Sequence, residues 1–210
     1  MNISFKLFLS IGILFVFGCK QNYKLPDSIT QSEYDIYSVV IDSLCKTNKD
    51  SFLFIRDSTD KNNFAGNYKG FIDGKWIEFD DINALGGDDS IWAKSDYKEL
   101  ASEYKILNKR RYLLDIIKIQ TNLKLKQIYS ASLRKIFNSS KNGWADFYKL
   151  FPKAIGIVEL SRVGFNKQEN QAVFYISYLK GDLNAVGLYI LLYKESSKWQ
   201  IKKIVQAWVS

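Results

Sequence analysis

Histidine is absent from all 210 residues. That removes Ser–His and Cys–His nucleophilic catalysis, His-ligated zinc and the commonest general base. Cysteine occurs only as Cys19 and Cys45, and proline only as Pro26 and Pro152. No run of five basic residues appears; the densest cluster is Lys109-Arg110-Arg111. A Gly-x-Ser-x-Gly elbow, a phosphate-binding loop and a dinucleotide fingerprint are also missing. Internal repeats and low-complexity tracts are not seen. No cofactor is expected. Hydrophobic residues make up 47% and aromatics 15% of the chain, too much for a disordered protein.

The chain opens with Lys6, then eleven residues from Leu7 to Phe17 interrupted only by Ser10 and Gly12. A membrane-crossing helix needs roughly 20 apolar residues. This run is too short for that and fits the core of an export signal. Val16-Phe17-Gly18-Cys19 resembles a bacterial lipoprotein signal with its lipobox, Gly18 being the small residue beside the cut. The resemblance implies that residues 1–18 are removed and that Cys19 is acylated and becomes the mature N-terminus. Several acyl chains on one residue anchor stably, since each buried CH₂ contributes roughly 0.8 kcal/mol. No Asp follows Cys19 and no acidic cluster follows it either. The expected address is the cell envelope, at the outer membrane facing the periplasm, with the membrane itself as first partner.

The net charge is +8. It reads either as attraction to anionic polymers or lipid headgroups, or as a solvated surface with its lysines spread along the chain. Nucleic acid is not an expected partner of an exported chain. With Cys19 acylated, Cys45 has no intrachain partner, so no disulfide forms. It sits near the end of a helical pattern beside Leu44 and reads as a buried structural thiol.

Residues 19–27 read as a tether and 28–210 as one domain with its sheet module over about 143–210. Thr30-x-x-Glu33 is a capping box, and Tyr34, Tyr37, Val40, Ile41 and Leu44 give the following helix one apolar face. Ser51 to Asp57 is expected to be a strand. Asn62 to Ser90 holds five glycines, with a short strand from Lys75 to Phe79. A helix is predicted over Ala93–Arg111, a strand over Leu123–Tyr129, and short helices over Ser132–Asn138 and Trp144–Phe151, the last stopped by Pro152. Four strands follow: Gly156–Phe165, Ala172–Leu179, Val186–Lys194 and Lys198–Val209. Their short connections require antiparallel neighbours. The expected fold class is α+β: an N-terminal helix and strand, then a C-terminal four-stranded antiparallel meander covered on one face by helices.

Strand periodicity sorts this sheet into two faces. Ala172, Phe174, Ile176 and Tyr178 share a core face with Val186, Leu188, Ile190 and Leu192. The other face carries Val173, Tyr175 and Ser177 with Gly187, Tyr189, Leu191 and Tyr193. It is open to three readings: solvated, packed by the N-terminal half, or a binding surface formed by Tyr175, Tyr189 and Tyr193. Arg162 either joins that surface to hold an anionic ligand or fixes the fold through a carboxylate, the second being favoured.

Glu78, Asp80, Asp81 and Glu159 are the carboxylates available for a glycosidase-type pair. Glu159 lies in the apolar run Ile157-Val158-Glu159-Leu160 and needs a cationic partner, Arg162 or a lysine. Asp80 to Asp89 invites a calcium reading. Loop positions five and twelve, however, fall on Leu85 and Trp92, which rejects an EF-hand and leaves a looser calcium site or an acidic loop.

Three pieces resemble a group of small, largely uncharacterised bacterial lipoproteins. They are Glu33-Tyr34-x-x-Tyr37-x-x-x-Ile41; Gly143-Trp144-x-x-Phe147-Tyr148-x-x-Phe151-Pro152-x-x-x-Gly156-Ile157; and Ser161-Arg162-Val163-Gly164-Phe165-Asn166 with Gly187-x-Tyr189-x-Leu191-Leu192-x-Lys194, Trp199 and Trp208-Val209-Ser210. The resemblance carries no activity with it. Similar proteins often hold a Cys-Gly-Gly-Leu-Cys-Gly loop between two of these strands. Leu179 to Gly187 has no cysteine, so any disulfide, redox or metal role of that loop is not expected. The functional expectation is a lipid-anchored envelope protein acting as a non-enzymatic binding or interaction module, with an envelope protein or polymer as partner. A carboxylate-dependent hydrolase of an envelope polymer is the alternative. An immunity or inhibitor lipoprotein is a further one.

Overall fold

The computed structural model describes residues 27–46, 49–60, 69–72, 75–78, 94–139 and 142–210. The signal segment, Cys19 and the Asp80–Asp89 loop lie outside the described residues.

Thr30 opens helix α1 (Gln31–Leu44) as its N-cap, and Glu33 reaches back from the third helical position to complete the capping box. Strand β1 (Phe52–Arg56) follows. Strands β2 (Lys69–Ile72) and β3 (Lys75–Glu78) form a separate antiparallel hairpin. Helix α2 (Lys94–Leu107) ends four residues before the expected Arg111. The reason is Asn108, whose side-chain Nδ2 donates to the Tyr104 carbonyl at 2.9 Å and to the Arg162 carbonyl at 3.1 Å. It thereby satisfies a last-turn acceptor and ties the helix end to the sheet.

A 3₁₀ turn (Ile116–Lys118) capped by the Asp115 side chain leads to β4 (Leu125–Ile128), α3 (Ser130–Ser139) and α4 (Gly143–Leu150). The C-terminal strands are β5 (Ala154–Leu160), β6 (Gly164–Phe165), β7 (Gln171–Gly181), β8 (Asn184–Glu195) and β9 (Lys198–Val209). The single strand expected over Gly156–Phe165 is thus two. Ser161-Arg162-Val163 leaves the regular ladder because Arg162 turns away to meet Glu33. The Ser161 hydroxyl substitutes by accepting from the Tyr175 amide at 2.8 Å.

The seven strands form one sheet in the order β4-β1-β5-β7-β8-β9, with β6 also paired to β7. β5, β7, β8 and β9 are the expected antiparallel meander. β1 pairs in parallel with both β4 and β5, so the N-terminal strand becomes an interior member of the same sheet. The fold is α+β.

The period-two assignment of β7 and β8 holds. Ala172, Phe174 and Ile176 with Ile190 and Leu192 join Tyr34, Ile36, Tyr37, Val40 and Ile41 of α1 in the main core. Leu53 and Ile55 of β1 point the same way. The opposite face is covered as well. Leu100 and Tyr104 of α2 pack on Val173, Tyr175, Tyr189 and Leu191. Phe147 of α4 packs on Phe52, Phe54 and Ile157, with Leu133 and Phe137 of α3 beside it. Helices therefore flank the sheet on both sides, an arrangement that buries both faces of its central strands.

Gly156 marks the one irregularity between β1 and β5, where β5 holds an extra residue opposite Phe52–Phe54. Its φ is +143°, and a Cβ there would stand 2.6 Å from the Leu179 carbonyl oxygen. Gly156→Ala therefore carries both backbone strain and a clash with a neighbouring strand, and is expected to lower unfolding free energy by roughly 1–3 kcal/mol. Urea unfolding followed by tryptophan fluorescence measures this.

Candidate functional site

Arg162 is fully buried, with 0% of its side chain exposed, and Glu33 is 1% exposed. The guanidinium donates from Nε to Glu33 Oε1 at 2.6 Å and from Nη2 to Glu33 Oε2 at 2.9 Å. Nη2 also donates to the Ser28 carbonyl at 3.0 Å. The geometry is the two-pronged carboxylate fork that only arginine presents. Both carboxylate oxygens are used again: Val163 N–H donates to Oε1 at 3.1 Å, and Thr30 N–H to Oε2 at 2.8 Å. The Tyr112 ring lies 4.1 Å from Arg162 Cζ and covers the cation with its electron-rich face. That contact matters because Nη1 has no hydrogen-bond partner. Burial pushes the guanidinium pKa down, but the Glu33 carboxylate more than offsets this and holds Arg162 charged.

The surroundings are equally satisfied. The Tyr37 hydroxyl donates to the Ser161 carbonyl at 2.7 Å. Burial drives its pKa well up, and the Glu33 carboxylate pushes the same way. The Asn108 amide faces the Arg162 peptide and bonds both its N–H, at 2.7 Å, and its C=O. Beside this cluster lies a cavity of about 70 Å³ lined by Thr30, Ser32, Glu33, Glu103, Arg162 and Glu169 among others. Three of those six are acidic, so the cavity does not suit the anionic ligand that Arg162 suggested from sequence. The favoured expectation, Arg162 fixing the fold through a carboxylate, is what the structure places there. Its partner Glu33 was visible only as a capping residue, and their separation of 129 positions in the chain hides the pairing.

Among the described residues Glu159 pairs with neither Arg162 nor a lysine. Its Oε1 meets Arg56 Nη1 of β1, and its Oε2 accepts from the Ser177 hydroxyl at 3.2 Å. Arg56 Nε also donates to the Ser130 hydroxyl at 3.0 Å, and that hydroxyl donates to Asp57 Oδ1 at 2.6 Å. Arg56, Glu159, Ser177, Ser130 and Asp57 form a polar strip between the two helix-covered clusters of one sheet face. Arg56 and Glu159 are each 17% exposed at the side chain. The signal for Arg56 was its place at the end of the apolar run Phe52–Ile55, one strand from Glu159.

Tyr175 and Tyr189 do not form an open surface. Each is 4% exposed, because α2 lies over them. Of the three readings of the tyrosine face, packing by the N-terminal half is the one realised. Tyr175 accepts a hydrogen bond from Trp208 Nε1 at 2.8 Å, and burial pushes its pKa up. Gly187 makes room for that pair: a Cβ there would stand 2.2 Å from Trp208 Nε1. Tyr193 is half-buried and donates to Gln200 Oε1 at 2.8 Å, near the β8–β9 turn. Arg162, bound to Glu33, is not part of one surface with these tyrosines.

Cys45 is 2% exposed, and burial pushes its thiol pKa up to about 11 against the pull of Lys180. It is the buried structural thiol expected. Among the described residues no cluster of three or more His, Cys, Asp and Glu side chains could hold a metal ion. The side chains of Glu78, Asp80 and Asp81 lie outside the described residues.

No protein-family model, no curated protein and no solved structure matches this chain.

Removing Glu33 strands a buried cation. Glu33→Ala is expected to cost roughly 3–5 kcal/mol. The double variant Glu33→Leu with Arg162→Met recovers most of that loss in urea denaturation, because neither partner is left behind. A second outcome concerns alkali. The Cys45 pKa is raised in the fold, so its contribution is complete below the unfolded-state value near 9. It is lost as pH rises towards about 11. Stability should fall across that window, and Cys45→Ala should flatten the early part of the fall. Buried tyrosines raised above 10 add to the loss at higher pH.

Proposed function

We propose that this chain is an acyl-anchored cell-envelope protein whose domain works as a non-enzymatic interaction module. Val16-Phe17-Gly18-Cys19 supports the anchor, with Cys19 the modified residue and the periplasmic side of the outer membrane the address. Among the described residues no helix is long and apolar enough to cross a membrane. The observation that carries the rest of the reading is the fate of Glu159. As the carboxylate in the apolar strand it had the strongest claim to acid–base work. Both of its oxygens are engaged by Arg56 and Ser177 inside the sheet. A glycosidase acid must face its substrate, with a second carboxylate across a gap of roughly 5 to 10 Å. Glu159 faces its own scaffold.

The partner surface in this reading is not the tyrosine face, which the domain uses for its own packing. Among the described residues, large apolar side chains that remain exposed on loops and edges include Leu113, Ile117, Tyr129, Leu183 and Val209.

Two measurements test the proposal. Cys19→Ser should move the protein from the membrane fraction to the soluble fraction and remove the acyl mass from its N-terminal peptide. Incubated with peptidoglycan sacculi, the purified chain should release no soluble fragments. Release that Glu159→Gln abolishes would replace the interaction module with a hydrolase.

A further inference from the structure

The segment from Lys109 to Lys118 joins α2 to the 3₁₀ turn and lies against the N-terminal end of α1. Its inward side is used for packing. Leu114 and Ile119 enter the main core, and Tyr112 and Ile116 pack against it. Two large apolar residues are left outside: Leu113 is 81% exposed and Ile117 is 82% exposed. Four cations share the segment with them, Lys109, Arg110, Arg111 and Lys118, all exposed. Asp115, which caps the 3₁₀ turn, is the one acid within the segment, and Asp27 accepts from Arg110 at 3.0 Å. Cations therefore outnumber acids, and apolar side chains stand among them. This is the composition of surfaces that sit at the boundary of headgroups and acyl chains.

The position of the patch identifies its occupant. Asp27 is the first described residue, and its bond to Arg110 puts the exit of the chain beside the basic cluster. Cys19 lies eight residues earlier. Even fully extended, that stretch spans only about 28 Å at roughly 3.5 Å per residue. Asp27, where the described chain begins, thus sits at the patch, and an acylated Cys19 can lie no further than that reach from it. The other end of α1 points elsewhere. Cys45, its C-cap, lies near Lys180 at the β7–β8 turn, about 21 Å from Thr30 at 1.5 Å per helical residue.

We propose that segment 109–118 is a membrane-contact patch that seats the domain on the anionic phospholipid surface to which Cys19 tethers it. The arginines and lysines bind phosphate headgroups, and Leu113 and Ile117 enter the interface between them. The β7–β8 turn, with Leu183 at its tip, then faces away from the bilayer. The inference rests on the acyl-anchor reading, and the following test separates the two.

The full chain is reconstituted into phosphatidylethanolamine–phosphatidylglycerol vesicles containing nitroxide-labelled lipid. A fluorophore is attached at Ile117→Cys or, as the far-end control, at Leu183→Cys. The buried Cys45 stays unlabelled, and the mass of the N-terminal peptide reports acylation independently. Quenching at position 117 is expected to exceed that at 183 several-fold. It should weaken in phosphatidylcholine vesicles and as salt is raised on the otherwise unmodified protein. Lys109→Glu, Arg110→Glu and Arg111→Glu together should bring 117 down to the level of 183. Equal quenching at the two positions, in protein whose Cys19 is acylated, overturns the patch and leaves the anchor standing. Strong quenching at 117 in protein without acyl chains overturns the anchor and leaves the patch standing. Protein that neither carries acyl chains nor is quenched removes both.

Discussion

The buried Arg162–Glu33 pair is the interaction on which the rest of this domain depends. A charge withdrawn from water is tolerated when a partner charge and most of its bonding sites are supplied, and here only Nη1 is left to the face of the Tyr112 ring. Supplying them here engages five separate parts of the chain. Glu33 comes from the first turn of α1, and Ser28 from the approach to it. Tyr112 covers the cation from the segment after α2. Asn108 holds the Arg162 peptide from the end of α2, and Ser161 mends the ladder that Arg162 interrupts. Removing the pair would free the N-terminus of α1, the end of α2 and the β5–β6 break together. It works as a registration device between the helices on the two sides of the sheet.

A second constraint follows from covering both faces. A sheet with one face open can offer that face to a partner, whereas this one cannot. Tyr175 and Tyr189 are the floor beneath α2, and Phe52 and Phe54 the floor beneath α4. The polar strip through Arg56, Glu159 and Ser177 occupies the seam between those two floors. Its charges neutralise one another across three adjacent strands, so the seam is tied shut chemically. What such a domain has left for recognition is its periphery: loops, turns and strand edges, where apolar residues such as Leu113, Ile117 and Leu183 remain uncovered. That is the physical basis for reading the molecule as a scaffold presenting surfaces rather than as a cleft doing chemistry.

Much of this was legible in the residues. The capping box set the start of α1 correctly, and the tyrosine-bearing stripe that follows it does face the core. The alternation of β7 and β8 sorted their side chains onto the right faces, because a strand's two-residue repeat is local geometry. The burial of Cys45 followed from its place beside Leu44 at the end of an apolar helix face. Other expectations met long-range facts that no local pattern contains. α2 stops early because Asn108 is captured by Arg162, 54 residues away. The strand expected over Gly156–Phe165 breaks because Arg162 leaves it for Glu33. Glu159 was read correctly as a charge in need of a cation, but the cation arrived from β1, placed there by parallel pairing.

The sequence by itself determined the local periodicities, the turns, the class of the fold and the exclusion of histidine chemistry. It also carried the signal-like segment from which an anchor at Cys19 is proposed. Each of these depends on neighbours within a few residues, where hydrogen-bonding geometry and side-chain alternation act directly. Only the tertiary structure decided which charge neutralises which, and whether the tyrosine face is floor or surface. Those outcomes depend on where α1, α2 and β1 come to rest against the meander. A buried charge or ring is stabilised by whatever is brought to it in space, and sequence separation places no limit on that.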